Sequence, residues 1–128
     1  METPQKLGDL QLAILRVLWT QGEATVAEVH EALEAERGLA PTTIATMLTK
    51  MEKKGVVEHT TIGRRFIYRP TVSEGEVRRS AVASLASQMF QGDIRALVNQ
   101  LLEVHPIDSQ ELADLRQLID ARAAEGER

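Results

Sequence analysis

Between Pro41 and Pro70 the chain places six cationic side chains, Lys50, Lys53, Lys54, Arg64, Arg65 and Arg69, against two acids, Glu52 and Glu58. The stretches on either side are acidic: residues 1–40 hold three basic and seven acidic residues, residues 71–128 six and ten. The net charge of −4 for the 128-residue chain therefore conceals a basic segment of +4, and distribution rather than total charge decides whether a polyanion can dock. Thr42, Thr43, Thr46 and Thr49 stand among or just before these cations. A threonine hydroxyl can bond a phosphate oxygen or a base edge, its methyl can meet the methyl of thymine, and a lysine ammonium neutralises phosphate. The chemistry on offer is recognition of a nucleic acid, provided the surrounding elements put these groups on one face.

Other chemistries find little support. With no cysteine there is no disulfide, thiolate metal ligand or thiol nucleophile. His30, His59 and His105 are scattered without the paired spacing of a metal motif. No acid falls in a general acid/base or nucleophile motif, and Ser80, Ser84 and Ser87 lie in a helical stretch rather than on a strand-to-helix elbow. An enzyme, a bound metal and a cofactor are therefore not expected. The polar N-terminus lacks the apolar core of a signal peptide and no run is long enough to span a bilayer, so a cytoplasmic protein is expected.

The elements that must position the threonines and cations can be read in order. Leu10, Ile14, Val17 and Leu18 form a helical stripe over Leu10–Trp19, with Gly8 and Gln11 as a capping pair and Gln21-Gly22 as the stop. Thr25-Val26-Ala27-Glu28 is a capping box opening a second helix, with Val26, Val29 and Leu33 on its buried face and Arg37-Gly38 at its end. Pro41 opens a third helix as its first residue, Ile44, Met47, Leu48 and Met51 give it an apolar face, and Gly55 ends it. At 100° per residue Thr42, Thr46, Thr49, Lys50 and Lys53 point away from that face, with Thr43 nearer its edge. Two β-rich runs follow, Val56–Thr61 and Arg65–Arg69, joined through Ile62-Gly63-Arg64 and ended by Pro70, with Phe66 and Tyr68 expected to cover the core. Trp19 is expected to pack rather than to stack on a ligand.

After a linker at Thr71–Ser73 the chain reads as helix only. Val77, Val82, Leu85 and Met89 line one segment, Ile94, Leu97, Val98, Leu101 and Leu102 a second, and Leu112, Leu115, Leu118 and Ile119 a third, with Ala121–Arg128 expected to fray. A short helical tail cannot bury three such stripes alone, so these residues are expected to form a dimer interface. The reading is a mainly α protein with a small β-hairpin wing. Residues 1–72 form an N-terminal winged helix-turn-helix and residues 73–128 a C-terminal helical dimerisation region. In that fold the third helix enters the DNA major groove and the hairpin lies on the backbone.

A threonine- and lysine-rich face is by itself what many solvated helices show. Here it is followed by a hairpin carrying Arg64 and Arg65 and flanked by acidic regions, which favours double-stranded DNA. A winged-helix protein-interaction module without DNA is the alternative.

Three strings carry a family resemblance: Leu7-Gly8-Asp9-Leu10 through Ala13-Ile14-Leu15-Arg16-Val17-Leu18-Trp19; Thr43-Ile44-Ala45-Thr46-Met47-Leu48 with Lys50 and Lys53-Lys54-Gly55; and Gly63-Arg64-Arg65-Phe66-Ile67-Tyr68. In this order they resemble the first helix, recognition helix and wing of the penicillinase-repressor (BlaI/MecI/CopY) family, and the likeness runs over residues 7–119. The resemblance implies a homodimeric repressor on an inverted-repeat operator, with Thr43, Thr46 and Lys50 as recognition-helix contacts and Arg64 or Arg65 on the backbone. The copper-sensing branch carries a cysteine-rich metal motif that this chain lacks, which disfavours a copper response. The antibiotic-resistance branch is cut at an Asn-Phe bond through a membrane sensor protease pathway. The matching position here is Gln100-Leu101, with Asn99 one residue earlier.

Overall fold

The capping box works as its spacing implies: the Glu28 amide donates to Thr25 Oγ1 at 3.2 Å and the Thr25 amide donates to Glu28 Oε1 at 2.8 Å. Two amides that no helical carbonyl can reach are thereby satisfied at the start of a helix. The computed structural model describes residues 7–126, and apart from one short added strand its elements follow the expected order. Helix α1 (Asp9–Gln21) leads to a two-residue strand β1 (Ala24–Thr25), then α2 (Val26–Arg37), α3 (Pro41–Lys54), β2 (Val57–Ile62), β3 (Arg65–Pro70), α4 (Glu74–Phe90), α5 (Ile94–Val104) and α6 (Ser109–Gly126).

Four local details differ from expectation. Gly8 caps α1 without any side-chain bond, and Gln11 is directed elsewhere. The hairpin turn has two residues rather than three, because Ile62 pairs with Arg65. Gly63 takes φ 64° while Arg64 stays out of the left-handed region, the φ pattern of a type II′ turn that matches the twist of its strands. Pro70 belongs to β3 opposite Val57, and α6 stays helical through Gly126 where fraying was expected; Glu127 and Arg128 lie outside the described residues.

The strand β1 was not expected. It pairs antiparallel with β3, Ala24 opposite Tyr68 and Thr25 opposite Ile67, giving a sheet of order β1-β3-β2. Thr25 thus serves twice, as the N-cap of α2 and as a rung of the sheet.

The chain divides into two compact units, one ending at Ser84 and one beginning at Leu85, with the division inside α4. In the first, Ile14, Leu15 and Leu18 of α1, Val29 of α2, Ile44, Leu48 and Met51 of α3, and Val56 and Val57 are sealed from solvent. Tyr68 joins this core, whereas Phe66 does not: it is 45% exposed, on the same sheet face but nearer the hairpin tip, beyond the reach of the core. The Thr71–Ser73 linker is fastened down. Thr71 donates its amide to Val56 O and its hydroxyl to Gly55 O, Trp19 Nε1 donates to Val72 O at 2.9 Å, and Ser73 forms a second capping box with Glu76. Trp19 is accordingly a packing residue whose N–H is satisfied.

The second unit is of another kind. Among its described residues Leu97 alone of the large apolar side chains is buried. Among the described residues fourteen large hydrophobics are exposed, and twelve of these lie between Val82 and Ile119. A monomeric surface rarely presents so much apolar area in one region.

Glu28 and Glu76 are both held below their ordinary carboxyl pKa, first by the backbone amide and then by the hydroxyl of the capping residue. A depressed folded-state pKa contributes stability above the ordinary value of 4.5 that is lost as pH falls through the lower, folded value. Glu28→Gln is expected to lie below wild type in urea-denaturation midpoint at neutral pH and to converge with it as pH drops below 4.5. A difference that grows on acidification would show that the carboxylate is not stabilising.

A candidate nucleic-acid interface on the third helix and hairpin

Helix α3 carries its apolar residues inward because Ile44, Leu48 and Met51 recur at helical spacing and are fully buried. Its other face follows from the same geometry: Thr42, Thr43, Thr46, Thr49, Lys50, Lys53 and Lys54 are all exposed. At the hairpin end Arg64 and Arg65 are exposed as well.

Exposure alone does not make these groups equivalent. Lys54 donates to Gln11 Oε1 at 2.7 Å, and the Gln11 amide also reaches Met47 Sδ at 3.2 Å, so this lysine ties the end of α3 to α1. Arg69 is engaged with Glu58 at 2.9 Å and approaches Glu23 at 4.0 Å. Thr49 donates its hydroxyl to the Ala45 carbonyl one turn back. Both acids of the basic stretch are occupied too: Glu58 by Arg69, and Glu52 by His59 Nδ1 at 2.8 Å. Lys50, Lys53, Arg64 and Arg65 make no ion pair or hydrogen bond from their charged groups among the described residues, although the Arg65 charge also acts on the Glu28 carboxylate. Four uncommitted cations beside a row of threonines form a surface on which phosphate can displace water without first breaking an internal ion pair.

Between α3 and the hairpin lies an open cleft of about 510 Å³. Ala45 and Thr49 form one wall, Phe66 and Tyr68 another, the start of α2 at Thr25–Ala27 a third, and Arg64 and Arg65 stand at its edge. Burial, and after it the Glu52 carboxylate, raises the Tyr68 pKa above its ordinary value, so the hydroxyl keeps its proton. Sequence reading missed Gln11, the Glu52–His59 pair and the contribution of α2 to this cleft. Only the acidic anomaly of Glu52 within a basic stretch could have drawn attention to the second.

Three helices, a small sheet ending in an exposed hairpin, and free cations on both the third helix and the hairpin define a winged helix-turn-helix protein with a cationic outer face. The chain belongs to the penicillinase-repressor family, which it matches over residues 7–121. It is similar to the penicillinase repressor of Bacillus licheniformis, 27% identical over 120 residues that span 94% of each chain. It is also similar to the transcriptional regulator BlaI of Mycobacterium tuberculosis (strain CDC 1551 / Oshkosh), 35% identical over 125 residues, 96% of this chain and 90% of that one. Among solved structures, the monomeric form of Bacillus licheniformis BlaI in complex with the blaP half-operator matches with a TM-score of 0.51 and 32% identity, covering 59% of this chain and 93% of that one. The family is one of repressors, not of enzymes.

Proposed function

We propose that this protein is a cytoplasmic transcriptional repressor that binds an inverted-repeat operator as a homodimer, residues 1–72 holding DNA and residues 73–128 holding the partner copy. The observation that carries the reading is the set of uncommitted cations, Lys50, Lys53, Arg64 and Arg65, on the two elements that a winged helix presents to a duplex. Family membership and the half-operator complex of a 32% identical relative support it. Thr42, Thr43, Thr46 and Lys50 face the major groove in this reading, Thr49 lines the groove side of the cleft, and Lys53, Arg64 and Arg65 meet phosphates. Lys54 acts mainly through Gln11, holding the end of α3.

Release by proteolysis fits the same scheme. Gln100 and Leu101 are exposed within α5, so a membrane sensor protease pathway that cut this bond would have to unwind the helix locally and would sever the dimerisation region.

Binding to a random-sequence duplex, measured at several salt concentrations, tests the core of the reading. Affinity is expected to fall steeply with salt, with a slope of about −0.9 for each phosphate contact. A salt-insensitive or absent interaction would favour the protein-interaction module instead. Lys53→Ala should weaken binding to all duplexes alike and reduce the slope by about 0.9. Thr46→Val should instead redistribute preference among operator variants in a selection from a randomised pool. The reverse pattern would mean that the helix lies differently in the groove.

A further inference from the structure

The hairpin that carries Arg64 and Arg65 is anchored by the core only at its root, where Val57 and Tyr68 are buried; from Thr60 to Phe66 every residue is exposed. A two-stranded ribbon is marginal by itself, and its tip needs a further tether to hold one direction. On one side β1 pairs with β3 as far as Ile67. On the other, β2 is the edge strand of the sheet. Midway along it stands His59, directly opposite Tyr68.

His59 Nδ1 lies 2.8 Å from each carboxylate oxygen of Glu52, which belongs to α3. The His59 ring stacks on Phe66 with centroids 4.0 Å apart and planes 11° from parallel, and meets Tyr68 at 5.4 Å. Phe66 is adjacent in sequence to Arg65 and sits two rungs nearer the tip than His59 and Tyr68, on the same sheet face. A continuous set of contacts therefore runs from the third helix through Glu52 and His59 to Phe66, whose backbone leads directly into the arginines at the end of the hairpin.

We propose that Glu52 and His59 are positioning residues for DNA binding: their bond, extended by the His59–Phe66 stack, sets the separation between the third helix and the arginines of the hairpin, so that one duplex can engage both. The same pairing explains an acid on a face otherwise built for phosphate. The carboxylate keeps its charge when an imidazole bonds it, so its use on this side of the helix is as a strut. The inference rests on the DNA-binding reading above.

The test uses the full chain and a random-sequence duplex at several salt concentrations. His59→Ala is expected to weaken binding about tenfold and to flatten the salt slope by up to about 1.8, the amount due to two phosphate contacts. Adding Arg64→Ala and Arg65→Ala to His59→Ala should then cost far less than the same pair costs in the wild-type background, because the arginines are already misplaced. Glu52→Ala breaks the bond from the other side and leaves the core and the ring stack in place. Simple charge repulsion predicts tighter binding when this acid is removed; positioning predicts weaker binding. Weaker binding by Glu52→Ala together with non-additive arginine effects supports the proposal. Unchanged or tighter binding by Glu52→Ala, or arginine effects that add fully to His59→Ala, overturns it while leaving the repressor reading intact. A wild-type protein that shows no salt-dependent binding overturns both.

Discussion

Replacing Leu101 and Leu115 together by aspartate is expected to convert a dimer into a folded monomer and to lower operator affinity by about a hundredfold or more. The two side chains are 48% and 41% exposed on α5 and α6, in a unit where exposed large apolar residues are concentrated. Covering that surface with a second copy supplies the apolar burial that the single chain lacks. A carboxylate placed in such an interface would lose its hydration without gaining a partner, which costs several kcal/mol per ion (roughly) and is incurred twice in each protomer. Leu97 is the wrong target for this experiment, because its own chain already buries it and its loss would damage the unit itself. Sedimentation should give the monomer mass and circular dichroism an unchanged helix content. The affinity loss follows because linked modules gain about 10²–10⁴ in avidity, which independent modules lack. A double variant that still sediments as a dimer would place the interface elsewhere.

The operator should respond as strongly to a change in its own geometry. A symmetric dimer offers two copies of α3 related by a two-fold axis, so both must enter the major groove from one side of the duplex. Half-site centres are therefore expected about 10–10.5 base pairs apart or at a multiple of that spacing. Inserting about five base pairs turns one half-site to the opposite face, and affinity should drop to that of a single half-site, again by about a hundredfold or more. Inserting a full turn should restore the facing and recover part of the loss, depending on the reach of the dimerisation helices. Footprints of both half-sites that survive the half-turn insertion would show that the two DNA-binding units act independently. Together the two experiments separate the partner surface from the DNA surface, since the first alters only protein and the second only DNA.

How much of this was legible beforehand depends on the range over which each feature is encoded. Helix starts and stops were legible because they are written within a few residues: Thr25 and Glu28 are three apart, Pro41 needs only its own ring at the first helical position, and Gly38 and Gly55 adopt left-handed φ values of 58° and 84° where their helices end. The buried faces of α2 and α3 were legible for the same reason, since helical period fixes which side chains share a side. So was the outward set of threonines and cations on α3, all of them exposed.

What remained hidden joins residues distant along the chain. Gln11 meets Lys54 across 43 positions and Trp19 meets Val72 across 53, and no local spacing announces either bond. The strand β1 has two residues, too few for an alternating pattern to register. Phe66 reads like a core aromatic by type and alternation, yet the hairpin carries it past the edge of the core and leaves it against His59. By itself the sequence determined the helices, their faces and the site of positive charge, because propensity, capping and periodicity act within a few turns of backbone. Only the tertiary structure decided which of those charges are spoken for, because an ion pair or hydrogen bond depends on where the chain's distant parts come to rest. Lys54 and Arg69 look in the sequence like their neighbours Lys53 and Arg65; packing gave the first two partners within the protein and left the other two open to solvent.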